Sequence, residues 1–292
     1  MPGAGHRFQN TRRHVAWTDR YRRPHSTRRR YGLPGRLPES RWSASVGSRP
    51  MATCSHGRRW RRSLVPDGVR QLWCTLAADE AALQPGTTTV VRGSRFICPA
   101  GWTGVVRLGD ATLIEAGDAD DSIIDVLRSL DDPSEPAQVA RAFRLVGTRG
   151  PAKLAYLPQG GEIAELDRGE PVREVSAVSI RGWLDSLPEE DVHESSVGNM
   201  NHVLVLGRGE QLLGAAGHVD WPAGIGHIGV LVAPHARGHG VGTLLGSAAT
   251  RRALDRGRTP QWRAADSNEA SRHAARRIGY REMGRQFSFQ LA

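Results

Sequence analysis

Residues 234–242, "PHARGHGVG", place three glycines, two histidines and an arginine directly behind the apolar run "IGVLVA". Glycine gives up side-chain packing and loses more conformational freedom on folding than any other residue. Such a concentration therefore marks backbone that something must approach closely. Ahead of the loop, Ile228, Val230 and Val232 fall on one face of a strand and Leu231 on the other, the apolar pattern of a buried central strand. Behind it, Val241, Leu244, Leu245, Ala248 and Ala249 recur at helical spacing and predict a core-facing helix that Gly257 and Pro260 end. Arg251, Arg252 and Arg256 suit the negative end of that helix. The loop is thus a predicted strand-to-helix junction with its glycines at a helix N-terminus. First-turn amides there have no intrahelical partner and attract anions, so a phosphate-bearing ligand is expected.

Two common phosphate motifs do not fit. A P-loop ends in Gly-Lys-Ser/Thr, and the only lysine in the chain is Lys153. A dinucleotide fingerprint, GxGxxG, meets Thr243 at its third glycine when counted from Gly238 and Leu245 when counted from Gly240. His235 and His239 lie four apart without a neighbouring cysteine or carboxylate, so they are expected to meet phosphate or solvent, and no metal is predicted. Cys54, Cys74 and Cys98 are odd in number and scattered, which predicts reduced thiols of a cytoplasmic protein.

What remains is an RxxGxG pattern, Arg237-Gly238-His239-Gly240-Val241-Gly242, after a strand and Pro234. It resembles the acetyl-CoA loop of the GNAT family of N-acetyltransferases. A second stretch, "NEASRHAARRIGY", is similar to that family's later helix, with Asn268, Ser271, Ala275, Gly279 and Tyr280 in place and a strand "TPQWRAAD" between the two. The resemblance implies an α/β (α+β) GNAT-type mixed fold, a central twisted sheet with flanking helices, here preceded by a smaller α/β unit and a disordered arm. It covers residues 200–292, extends toward 161, and is similar to actinobacterial members with an extra amino-terminal half. It implies acetyl-CoA as acyl donor. The pyrophosphate would lie on Arg237, Gly238, His239, Gly240, Val241, Gly242 and Thr243, and the pantetheine arm along Asn268, Ser271 and the exposed backbone of Val230, Leu231 and Val232.

Acyl transfer to an amine needs a path for the amine's proton and a proton source for the departing thiolate. Many family members carry a tyrosine as the acid where this chain has Ala275, so the acid is unassigned. Tyr280 is read as core packing. His227, at the start of the strand before the loop, is the candidate base, with His218 on the neighbouring strand. The alternative makes His227 a strand-end residue and gives the proton to water. Glu189, Glu190, Asp191 and Glu194 form an acidic cluster, either the acceptor pocket that draws a cationic amine or a solvated turn. The resulting reading is an acetyl-CoA-dependent N-acetyltransferase that acts by direct attack of a primary amine, on a small molecule or a peptide amino terminus. A non-catalytic acyl-CoA-binding regulatory protein is the alternative.

The formal net charge of +10 suggests nucleic acid until its distribution is considered. Residues 1–70 hold 17 arginines against Asp19, Glu39 and Asp67, whereas the rest of the chain is net acidic. Residues 1–65 lack any apolar period and are expected not to fold. Their arginine-rich composition reads as over-extended GC-rich coding sequence, with Met51 as a later start, rather than as a nucleic-acid arm. No apolar stretch follows the paired arginines as export would need, and no run predicts a membrane span. Residues 66–160 predict an αββααβ unit without a chemical motif: a helix with Val69, Leu72, Trp73 and Leu76 at helical spacing, strands over "TTTVVRGSRF" and "TGVVRLGDATLIEAG", helices over "DADDSIIDVLRSL" and "PSEPAQVARAFRLV", and a short strand "AKLAYLP" after Gly150-Pro151. It reads as a degenerate GNAT-like half. Residues 161–292 form the expected catalytic domain.

Overall fold

The computed structural model describes residues 65–292 apart from 81, 94–96, 159, 165–170 and 210. The arm expected over residues 1–65 therefore lies, save for Val65, outside the described residues.

Helix α1 (Asp67–Ala77) buries Val69, Leu72, Trp73 and Leu76, the stripe expected of it. Strands β1 (Thr88–Val91), β2 (Thr103–Leu108) and β3 (Ala111–Glu115) follow. "TGVVRLGDATLIEAG", expected as a single strand, is a hairpin: Gly109 at φ 61 and Asp110 form a two-residue turn that reverses the chain. Helix α2 (Asp121–Ser129) starts where the Asp120 carboxylate accepts the Ile123 N–H, and α3 (Pro136–Ala142) has proline in its first turn. Strand β4 (Leu145–Tyr156) begins well before Gly150-Pro151, the expected start. Then come β5 (Arg173–Ser176), α4 (Arg181–Asp185) and α5 (Glu189–Ser195). The hairpin β6 (His202–Arg208) and β7 (Gln211–Trp221) leads to β8 (Ile225–Val232), α6 (Val241–Asp255), β9 (Thr259–Ala265), α7 (Glu269–Ile278) and β10 (Arg281–Leu291).

All ten strands share one sheet in the order β1-β3-β2-β10-β4-β9-β8-β7-β6-β5. The sheet crosses residue 160 without a break, because β10 inserts between β2 and β4. The architecture is the expected mixed α+β one, a central sheet with flanking helices. Strand β8 pairs antiparallel with β7 along its whole length but parallel with β9 only from Ile225 to His227. Beyond His227 the two strands part.

Alternation along β8 sends its residues to different layers. Ile228 and the half-buried Val230 and Val232 pack with α6 and α7, in a cluster that includes Val241, Leu244, Leu245, Trp262 and Ile278. Leu231 packs on the other face with Val197, Met200 and Ala215. On that second face α1 covers β4, where Trp73 Nε1 donates to Tyr156 Oη at 2.8 Å and Gln261 Nε2 donates to the same oxygen at 2.6 Å. Burial pushes the Tyr156 phenol up to about 12, so it stays protonated and serves as the acceptor that ties α1, β4 and β9 together. Tyr156→Phe leaves both donors without that oxygen and is expected to lower stability by about 1–3 kcal/mol, read as a lower melting temperature. An unchanged melting curve would show that the network adds nothing.

Candidate functional site

The glycine loop opens α6 without a capping side chain. Gly240 is the N-cap at φ 75, a left-handed conformation that side chains rarely adopt, and Gly238 has φ 79. The first bond that spans the turn runs from the Leu244 N–H to the Gly240 carbonyl at 3.1 Å. The amides of Val241, Gly242 and Thr243 therefore have no partner within the helix, at the positive end of a 15-residue α6. They open on a cleft of ≈ 800 Å³ between this loop and the start of α7. Arg237, Gly238, Gly240, Val241, Gly242 and Thr243 line it on one side, Asn268 and Ser271 on the other, and Val230, Val232 and Trp262 form its floor. His235 and His239 are exposed and do not line this cleft.

A second void of ≈ 110 Å³ lies beyond the divergence of β8 and β9 and shares Val230, Trp262, Asn268 and Ser271 with the cleft. Its other walls are His227, Ile228, Gly229 and Leu231 of β8, Arg263 of β9, and Asp191, Glu194 and Ser195 of α5. Of the four acidic residues singled out from sequence, Asp191 and Glu194 line the void, whereas Glu189 and Glu190 are exposed at the start of α5 and do not.

Two polar links hold α5 to the cleft. Arg237 donates through Nη2 to Asp191 Oδ2 at 2.5 Å and through Nε to the Val232 carbonyl at 3.2 Å. Asn268 caps α7 by accepting the Ser271 N–H at 3.0 Å, and its Nδ2 donates to Glu194 Oε1 at 3.0 Å. Ser271 Oγ accepts from Trp262 Nε1 at 3.0 Å, which fixes the indole between the two openings. Trp262 and Arg263 were named in sequence only as parts of a strand. An arginine inside a mostly buried strand was the available signal.

His227 is buried, its ring stacked on Trp221 with centroids 4.5 Å apart, and its Nδ1 has no hydrogen-bond partner. Burial, with the Arg263 guanidinium adding to it, pushes its pKa down to about 3, so the ring is neutral near pH 7. Burial likewise lowers Arg263 to about 10, with Arg149 acting in the same direction and Glu194 opposing it. His218 is also lowered, first by burial, and Asp220 opposes that shift. Ala275 is buried, and Tyr280 Oη shares a 2.9 Å hydrogen bond with Thr250 Oγ1 in the core. Its ring meets Trp262 edge-on, and burial raises its pKa.

Residues 170–280 match the sequence model of the acetyltransferase (GNAT) family. Among solved structures, an acetyltransferase from the GNAT family of Colwellia psychrerythraea aligns at 14% identity and a TM-score of 0.41, over 54% of this chain and 61% of its own. A GCN5-related N-acetyltransferase from Kribbella flavida aligns at 16% and 0.41, over 55% and 64%. A GCN5-related N-acetyltransferase-like protein from Streptococcus suis aligns at 14% and 0.42, over 76% and 96%. The chain thus spans less than two thirds of the first two structures. No curated protein is significantly similar to it. Among the described residues, no helix is long and apolar enough to cross a membrane, and no group of three or more His, Cys, Asp or Glu is placed to hold a metal.

Proposed function

We propose, from the match of residues 170–280 to the GNAT acetyltransferase family, whose members take an acyl group from acyl-CoA, that the protein is an N-acetyltransferase that uses acetyl-CoA. Its acceptor is a primary amine, of a small molecule or a peptide amino terminus, that attacks directly. The observation that carries this reading is the uncapped, glycine-opened start of α6 on a cleft of ≈ 800 Å³. Three amides without an intrahelical partner and a helix dipole fit a pyrophosphate, and Gly238 and Gly240 keep side chains out of the way.

Bound acetyl-CoA supplies a thioester carbonyl open to attack, with free thiol released. Val241, Gly242 and Thr243 hold the anionic end through their amides, and Arg237 adds a charged donor. Asn268, Ser271 and Trp262 form the passage from cleft to void, along the edge that β8 leaves unpaired with β9 after His227. A base is most effective when its pKa lies near the working pH. His227 is too weak to store the amine's proton there and serves as a neutral hydrogen-bonding wall. The carboxylates lining the void are Asp191 and Glu194.

Calorimetric titration with CoA and thiol release across an amine panel test the reading. Wild-type protein is expected to bind CoA and release thiol with at least one amine. Arg237→Ala is expected to weaken CoA about tenfold. A charge-assisted bond contributes about 1.5–3 kcal/mol, but the half-exposed pairing with Asp191 must be exchanged for it. Absence of CoA binding would remove the reading altogether. The buried Ala275 and the core-bound Tyr280 favour one second reading, a non-catalytic acyl-CoA-binding protein, whose signature is tight CoA binding with no thiol release on any amine.

A further inference from the structure

We propose that the ≈ 110 Å³ void selects acceptors that carry a carboxylate beside the reacting amine, that is, free amino acids, with Arg263 holding the carboxylate and α5 facing the ammonium. This rests on the acyltransferase reading and names the acceptor class within it. The void is lined by charges of both signs. Strand β9 contributes the Arg263 guanidinium, and α5 contributes Asp191 and Glu194.

The cationic side is reinforced. Arg149 lies close enough to Arg263 to act on it electrostatically and is itself held over the Trp102 ring at 5.2 Å. The acidic side is partly compensated already, since Asp191 pairs with Arg237 and Glu194 takes the Asn268 amide. A plain amine entering as a cation would bring a further positive charge beside the Arg263 guanidinium, where like charges repel. An amino acid brings its own anion to Arg263, and its ammonium lies toward the carboxylates. Guanidinium and carboxylate also match as planar forks, which gives orientation as well as energy.

Two further observations fit a small polar head group. His227 Nδ1 is buried in the wall without a partner, and buried polar atoms are normally satisfied. The void of ≈ 110 Å³ has room for the amine, α-carbon and carboxylate. A peptide amino terminus puts a neutral amide where a free amino acid puts a carboxylate against Arg263, so the amino acid is favoured over it.

The test compares amino acids, each with its own carboxamide, as ligands of CoA-saturated protein by calorimetry and as acceptors by thiol release. At least one acid is expected to bind tenfold or more tightly than its amide and to show a correspondingly higher kcat/KM, although the amide's less basic amine is deprotonated to a larger extent near pH 7. Arg263→Met is expected to erase that preference, and Arg263→Lys to restore part of it, with CoA affinity within about threefold of wild type in both. If Arg263→Met fails to fold, the acid-against-amide comparison on wild type and on Arg263→Lys still decides. CoA binding with no preference for any acid, or with amides preferred, overturns the inference alone. Absence of CoA binding overturns the reading beneath it.

Discussion

Gly240→Val is expected to abolish CoA binding: a titration that gives a measurable Kd for the wild type should give none, or one at least about a hundredfold weaker. Gly240 holds φ 75 as the N-cap of α6. A β-branched residue there costs about 1–3 kcal/mol of backbone strain, and relief requires the loop to leave the conformation in which Val241, Gly242 and Thr243 line the cleft. Gly242 provides the internal comparison. It is not among the glycines at positive φ, and a β-carbon there would meet Val232 Cγ2 at 3.3 Å, a close approach to a side chain rather than to backbone. Gly242→Ala should therefore weaken binding by less than about tenfold. The sequence treats these two glycines alike, and only the backbone geometry separates them. Gly240→Val that binds like wild type would sink the assignment of the loop to the cofactor.

The parts of the site legible in sequence are those built by local pattern. The stripe from Val241 to Ala249 predicts α6, and its members are buried except for Ala248, which is half-buried. Asn268 and Gly279 bracket α7 as cap and left-handed stop, with Gly279 at φ 119. The parts that were not legible depend on partners far away in the chain. Strand β10 lies near the middle of the sheet and was not anticipated, because Gln286, Phe287, Ser288 and Phe289 are all buried and polar residues interrupt the apolar pattern. Gln286 is accommodated by donating through Nε2 to the Ile97 carbonyl at 2.8 Å, a partner that no periodicity encodes. The stretch through Leu145 and Val146 read as a helix tail but is strand, since β10 pairs with it at its far end. The acidic cluster likewise read as pocket or turn. It is a short helix, and only its inward turn, at Asp191 and Glu194, reaches the void.

Arg263 stood out only weakly in sequence for a related reason. An arginine in a strand signals little until the opposite wall is known, and that wall is α5, some seventy residues earlier in the chain. The cleft and the void thus have different origins in sequence. One loop and one helix start supply the phosphate side, whereas the void is assembled from β8, β9, α5 and the head of α7. Its geometry therefore depends on how closely α5 lies against β8.

Gly229→Ala tests that dependence, and its expected result is a split between binding and turnover. A β-carbon at Gly229 would lie 2.1 Å from the Ser195 carbonyl oxygen and 2.7 Å from Met200 Cε. The first of these is backbone, so no side-chain rotation relieves it. Gly229 is not at positive φ, which makes the fault steric rather than conformational. The end of α5 must therefore move off the strand, carrying Asp191 and Glu194 away from Arg237 and Asn268. Overpacking of this kind costs about 1–3 kcal/mol, read as a melting temperature lower by several degrees. The amides of α6 belong to another element, so CoA affinity should stay within about threefold, while kcat/KM for the best amine falls about a hundredfold because misplacement by roughly 1 Å near the reacting groups has that effect. Gly182→Ala is the control, since nothing lies within 4 Å of a β-carbon there, and it should be neutral or mildly stabilising within α4. If Gly229→Ala keeps full turnover, the seam between α5 and β8 does not shape the acceptor side. Equal losses of CoA affinity and turnover would mean instead that cleft and void move as one body.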